Sequence, residues 1–406
     1  MRLPRNLVLV YLVVVGTYTA EGFISVVLSP YLQHQGVPLG QIGAIVAAMS
    51  VASLISRLPA GMLYRPGRAN VSIALAAATV AAATFFYPRS DSDWMLGGLR
   101  LLHGFAFGVS TTLNMAQFFD VRPADFERGR AMGIFAACLA GGNMLGNVVG
   151  GWWADRFGFE AAFTTAAIFP LVAAAINLQI RQEPGTRASA LGHAAPRGET
   201  LRRGLDALRN PGILLAALLL FCLNVLNLMF VPFFNLYGLA IGLSLTALGF
   251  VRGFASFSAV FTRVFAGELG RWFSYNTISR VGITLSAAFV CVVPLTTAVA
   301  LLLVLVTAVS VLRSILTVTG GVSVMDATAT TAAQRGVASG IFNMGKDLGS
   351  IAGPFCGGVI AGQVGVGPMM QVVALATLAL FWGGTALLEP RLRHARIPDA
   401  VPSSRA

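Results

Sequence analysis

The chain has 406 residues, of which 56% are hydrophobic and only 11% charged, with a mean hydropathy of +0.76. Charge this sparse does not cover the surface of a soluble protein of this length, and apolar stretches of about 20 residues, enough to cross a bilayer, recur from end to end. The net charge of +12 suggests a nucleic-acid binder, but its placement excludes that reading: twenty of the 27 arginines fall in alternate connections between the apolar stretches, which is an orientation signal facing anionic lipid.

Twelve spans are expected, at 6–33, 41–64, 69–88, 94–117, 131–154, 159–180, 212–236, 245–268, 275–295, 297–322, 337–362 and 367–388. The first follows the basic start Met1-Arg2-Leu3-Pro4-Arg5, is too long for a signal peptide, and is expected to stay as a helix. It carries Glu21 near its middle. Span two leads into Gly61-Met-Leu-Tyr64-Arg65-Pro66-Gly67-Arg68. Span four carries Arg100 and His103. Span five opens after Arg128 and holds Gly133, Gly142, Gly146, Asn147, Gly150 and Gly151.

A polar stretch rich in Pro and Gly, 181–210, then divides six spans from six and reads as a flexible linker ending in a short amphipathic helix. Its neighbours are expected to be two six-helix units, 1–180 and 211–390, with a basic tail at 391–406. In the second unit, span seven carries Asn224 and Asn227, span eight Arg252, span ten Arg313, and span eleven Lys346, the single lysine of the chain, beside Asp347.

The two units repeat. Gly340, Gly349, Gly353, Gly357 and Gly358 reproduce the spacing of the first glycine series 207 residues later, and Arg335-Gly336 echoes Arg128-Gly129. Arg57-Leu-Pro-Ala-Gly61 echoes Arg263-Val-Phe-Ala-Gly267. Small residues on one helix face let two backbones approach. The repeat is broken at a few positions: Asn147 stands where the second series has Pro354, Leu139-Ala140 where it has Lys346-Asp347, and Leu223 where the first half has Glu21.

These motifs resemble those of the major facilitator superfamily over nearly the whole chain. The glycine series matches its antiporter motif, G-x8-G-x3-GP-x2-GG, fully in the second half and with Asn147 for proline in the first. The loop after span two matches G-x3-D-[RK]-x-G-[RK] only at its Arg65-x-Gly67-Arg68 end, without the aspartate. Arg100-Leu-Leu-His103-Gly104-Phe-Ala106 departs from R-x2-Q-G-x-G at the glutamine and the second glycine. The resemblance implies an all-α membrane fold of twelve helices in two pseudo-symmetric bundles, working by alternating access. It implies proton-coupled efflux and a role for Arg100 in coupling or substrate contact. It also implies a cytoplasmic gate at Gly61, Arg65, Gly67 and Arg68, to which Arg128 and Arg335 contribute or merely supply orientation charge. In such a fold spans one, four, seven and ten line the cavity, and two, five, eight and eleven flank it.

An ionisable side chain within a span costs about 2.5–3.5 kcal/mol on insertion scales and normally faces a cavity or a partner. Glu21, Asp347 and His103 are therefore the proton-coupling candidates, with the alternative that Glu21 is permanently paired to Arg100 or Arg313. Arg100, Asn224, Asn227, Arg252, Arg313 and Lys346 are the substrate-binding candidates. Positive groups outnumber carboxylates among them, which favours an anionic or zwitterionic cargo. Gly133, Gly142, Gly146, Asn147, Gly150, Gly340, Gly349, Gly353, Pro354 and Gly357 are expected to pack helices.

Cys138, Cys222, Cys291 and Cys356 have neither disulfide nor metal-ligand spacing and are expected to pack the core. No metal or cofactor is expected, and no nucleotide-binding loop is present, so neither an ATP-driven pump nor an enzyme is expected. The expected partners are a small-molecule substrate, protons and the lipid bilayer, with no nucleic acid, for a monomer in the bacterial cytoplasmic membrane with both termini inside. Proton-coupled uptake and a transport-dead sensor or assembly partner are the competing functions.

Overall fold

The computed structural model describes residues 4–62, 64–65, 68–90, 92–123, 126–180, 210–266, 269–327 and 332–395. Most of the 181–210 linker, Gly67 and the tail from 396 lie outside them, as do the side chains of Arg128 and Arg335.

The described residues are helical almost throughout. In chain order the long helices are α1 (Arg5–His34), α2 (Leu39–Met62), α3 (Ala69–Phe86), α4 (Asp93–Val121), α5 (Arg128–Asn177), α6 (Pro211–Ala240), α7 (Leu245–Ala266), α8 (Tyr275–Val292), α9 (Val299–Ala327), α10 (Ala332–Val364) and α11 (Val366–Ala395). Local chemistry sets several starts. The side chains of Ser92, Asn210 and Ser274 each accept a backbone N–H of the first turn they precede, and Pro211 occupies a position that needs no donor. The narrow link expected between spans nine and ten is a single 3-10 turn, Val293–Leu295.

Among the described residues, nine helices are long and apolar enough to cross a membrane. Two long helices fall outside that set, α4 and α10, and they carry the interior charges Arg100 and Asp347 that lower their hydropathy. α5 has 50 residues, about 75 Å at 1.5 Å per residue, more than twice a bilayer core of about 30 Å. It reverses at Gly158, whose φ of 83° and ψ of 173° leave the helical region. Spans five and six are therefore the two arms of one bent element. Arg89 pairs with Glu160 at 3.0 Å just after the bend, and Asn177 at the other end of that arm donates to the Asn70 carbonyl at 2.8 Å. The second arm thus runs back toward the end of the molecule that holds α1's start.

α1 packs on α5, α2 and α3 on α4, and α3 on the returning arm of α5. Later in the chain α6 packs on α10 and α11, α7 on α9, and α8 on α9 and α11. Residues before 180 meet those after 210 mainly along α2 with α10, α5 with α7, and α1 with α6. Phe23, Met229, Phe230, Phe233 and Phe234 fill the centre and are almost wholly buried. Trp94 and Trp272, at helix ends, are 92% and 81% exposed, as indole anchors at a membrane–water interface are. Cys222 is buried, but Cys356 is exposed rather than in the core; all four cysteines are free thiols.

The glycine series explains the close packing. A Cβ on Gly146 would lie 2.8 Å from the Gly22 Cα, and one on Gly353 3.1 Å from the Met229 amide nitrogen, so α1 against α5 and α6 against α10 touch backbone to backbone. Gly142 and Gly150 face α1 in the same way, and Gly349 and Gly357 face α6. The last glycine of each series reaches the other part of the chain: Gly151 meets Gly249 of α7, and Gly358 meets Gly43 of α2. In both places a carbonyl from the odd position, Asn147 or Pro354, lies against the crossing glycine. Gly133 and Gly340, expected to pack helices, have open space among the described residues where a Cβ would go.

Candidate functional site

Arg100 and His103 stand one turn apart on α4 and so share a face. Both are buried, at 5% and 0% exposure, and both turn toward α1. There the Glu21 carboxylate lies 3.3 Å from His103 Nε2 and 3.9 Å from Arg100 Nη2. The Tyr87 ring stacks on the imidazole, with centroids 6.0 Å apart. Two of the Arg100 guanidinium nitrogens, Nε and Nη1, are buried without a hydrogen-bond acceptor among the described residues.

Thr84 lies on the other side of the His103 ring. Its hydroxyl donates to the Val80 carbonyl at 2.8 Å, so its one proton is committed, and its oxygen can only accept from His103 Nδ1 at 3.5 Å. With the proton on Nδ1, a neutral imidazole presents a bare Nε2 to Glu21. In that tautomer two acceptors face each other at 3.3 Å and a proton between them completes the pair, whereas with the proton on Nε2 the imidazole donates directly to Glu21.

A second group of polar side chains lies one turn further along α1. Arg252 of α7 donates from Nη1 to the Ser25 carbonyl at 2.6 Å and from Nη2 to the Ser25 hydroxyl at 2.9 Å. That hydroxyl also lies 3.2 Å from Asn147 Oδ1, and Asn235 of α6 donates to the same Ser25 carbonyl at 2.8 Å. Asn147, read as a missing proline, is thus part of a polar junction joining α1, α5, α6 and α7. Glu21 and Arg313 both lie within electrostatic reach of Arg252. Glu21 therefore faces two guanidinium groups, Arg100 and Arg252, with Arg313 reaching Arg252.

The remaining candidates disperse. Asn224 is buried and spends its amide N–H on the Leu220 carbonyl of its own helix at 2.8 Å, while Asn227 is 8% exposed. Asp347 does not join Glu21. It pairs at 2.9 Å with Arg57 on α2. Lys346 is half-buried on the same helix. Arg65 and Arg68 are exposed, and Gly61 lies nearest to Thr112 of α4. Among the described residues no cluster of three His, Cys, Asp or Glu side chains is placed to hold a metal.

Several contacts join residues that the sequence did not mark. Ser25, Asn235 and Thr84 are neutral and carry no pattern. Asp120, at the end of α4, accepts from the Tyr64 hydroxyl at 2.5 Å, so a carboxylate reaches the loop after α2 although the loop has none. Asp155 caps the first turn of α7, accepting from the Leu245 and Thr246 amides at 3.1 and 2.6 Å and from the Thr246 hydroxyl.

A model of the Major Facilitator Superfamily matches residues 10–354. A multi-drug resistance efflux pump PmrA homolog of Lactococcus lactis is 25% identical over 380 residues, 89% of either chain. An uncharacterized MFS-type transporter of Methanocaldococcus jannaschii is 25% identical over 183 residues, 43% of this chain and 45% of that protein, so that match spans less than half of the relative. Among solved structures, a bacterial homolog of the human lysosomal transporter Spinster, inward-facing and unoccupied, superposes with a TM-score of 0.78 at 13% identity over 98% of this chain and all of that one. The nucleoside transporter NupG does so at 0.75 and 14% identity, over 95% of this chain and 99% of that one. At such identities the structural likeness is one of fold. With apolar spanning helices and interior charges gathered around α1, this chain is a multi-pass membrane transporter that belongs to the Major Facilitator Superfamily.

Proposed function

We propose that the protein exports a small zwitterionic or anionic organic molecule in exchange for protons. Two six-helix bundles, 1–180 and 211–390, making twelve crossings, rock around a midplane site in the bacterial cytoplasmic membrane. Both termini face the cytoplasm, and a monomer suffices. The observation that carries this reading is the facing pair Glu21 and His103, which has a place for one proton and sits beside Arg100 and Arg252. Asp155 on α7, Gly151 on Gly249 and Gly43 on Gly358 all join the two parts of the chain at the end away from the termini, which supports an inward-facing state. The likeness to an efflux pump supports the outward direction.

Electrostatic linkage distinguishes exchange from co-transport. A cargo ammonium placed at Glu21 takes the position of the shared proton, so cargo and proton compete, which is the condition for exchange. The cargo carboxylate meanwhile meets the guanidinium groups. A cargo with negative charge only does the reverse. It favours the protonated Glu21–His103 pair, binds together with the proton, and gives uptake by symport. The surplus of guanidinium groups therefore also supports a second reading, proton-coupled uptake of a pure anion.

The test begins with a thermal-stabilisation panel of amino-acid-like zwitterions, dicarboxylates, metal-chelating metabolites and lipophilic cations on purified protein. The best stabiliser, radiolabelled, is then offered to proteoliposomes with an acidic interior. Exchange predicts accumulation driven by the gradient in wild type and its loss in Glu21→Gln, together with weaker thermal stabilisation by the cargo, whose ammonium has lost its carboxylate. Full gradient-driven accumulation by Glu21→Gln contradicts the role given to Glu21.

A further inference from the structure

The two seams between the parts of the chain are not equivalent. On the α2/α10 seam the backbones meet at Gly43 and Gly358. The seam is joined again where Arg57 Nη1 reaches Asp347 Oδ1 at 2.9 Å. Counted along α2 at 1.5 Å per residue, the ion pair lies about 21 Å closer to the end that holds the termini, past the middle of a hydrocarbon core of about 30 Å. On the α5/α7 seam, contacts among the described residues run from Asp155 with Thr246, through Gly151 with Gly249, to Gly253 with the Met144 carbonyl.

The repeat gives this difference a chemical cause. Arg57 corresponds to Arg263, and Asp347 to Ala140. α5 has no carboxylate at all between Glu127 and Asp155, so Arg263 has no acidic residue on that helix at the matching depth. On the same stretch Ala137 is exposed, as are Phe257 and Phe261 on α7, at 43% and 53%. In the ion pair the Asp347 side chain is 13% exposed and the Arg57 side chain 39%, so the carboxylate is the buried partner. Separating it from Arg57 would leave an uncompensated charge in a poorly solvated seam.

We propose that Arg57 and Asp347 form a one-sided pin: the pair stays closed through the cycle, holds α2 against α10, and confines opening of the termini end to the α5/α7 side. Neither residue touches cargo on this account; both are positioning residues that set which seam moves. The inference rests on the alternating-access reading above.

The test is pulsed electron–electron distance measurement on the full chain in nanodiscs, with spin labels at Leu58 and Met344 across the pinned seam, and at Ala137 and Phe261 across the other. The expected result is one distance population for the first pair and two for the second. Asp347→Asn or Arg57→Ala adds a longer population on the α2/α10 seam, and the charge swap Arg57→Asp with Asp347→Arg removes it again. Two populations of equal weight on both seams in wild type overturn the pin while leaving alternating access standing. A single distance on both seams contradicts alternating access and the pin together. Failure of the swap to restore the single population, in protein that binds its cargo normally, also overturns the pin.

Discussion

Ser25 holds Arg252 with both of its oxygens, the carbonyl at 2.6 Å and the hydroxyl at 2.9 Å. This places a guanidinium of the later half one helical turn from Glu21 in the earlier half. The contact links the charge state of Glu21 to the approach of α7. Hydrogen bonds to a charged group contribute about 1.5–3 kcal/mol each. Ser25→Ala removes one acceptor and keeps the carbonyl, and is expected to cost about a tenfold loss in transport rate. Arg252→Ala removes every contact and is expected to cost considerably more. Initial-rate measurements on the two variants in proteoliposomes check the order; equal rates for Arg252→Ala and wild type would remove Arg252 from the site.

Gly146→Ala and Gly133→Ala differ only in what the new methyl meets. At Gly146 it lies 2.8 Å from Gly22 Cα and from the Phe23 amide nitrogen, whereas at Gly133 it meets nothing among the described residues. Overpacking of this kind costs about 1–3 kcal/mol, while alanine for glycine in an open helical position stabilises by up to about 1 kcal/mol. Thermal unfolding in detergent should show Gly146→Ala clearly below wild type and Gly133→Ala at or above it.

Asp155 anchors α5 to the start of α7 through two backbone amides and a hydroxyl. Loss of a capping side chain costs about 0.5–2 kcal/mol, and 1 kcal/mol is roughly a fivefold change in an equilibrium. Asp155→Ala is expected to shift the protein by about that factor toward the state open at the end away from the termini. A cysteine reporter at Thr246, modified by a membrane-impermeant thiol reagent added to that side, should react about fivefold faster. An unchanged rate would show that this cap does not hold the closed end.

The glycine contacts were legible because their cause is local: a helix face bare of side chains is written at fixed spacing, and it predicts a backbone approach whichever helix arrives. The series does not say which glycines are used, and Gly133 and Gly340 lie on exposed faces with open space among the described residues where a Cβ would go. The interior charges were legible as residues that need partners. Their partners were not. Asp347 and Arg57 are 290 positions apart, and Arg57 stood out only as part of an echo. Helical phase places Asp347 on a face without saying which helix covers that face. Thr84, Ser25 and Asn235 matter through the hydrogen bonds they make across helices, and a neutral residue in an apolar span gives no sign of them. Asp155 lies just outside the apolar core of its span, where an acidic residue normally meets water.

On the proposed exchange, cargo and proton compete at the Glu21–His103 pair. The most direct measurement adds the best-stabilising zwitterion of the panel to purified wild-type protein in weak buffer and follows pH. The account predicts proton release on binding, saturating with the binding curve and absent in Glu21→Gln. Proton uptake on binding, or preferential stabilisation by lipophilic cations, would contradict it.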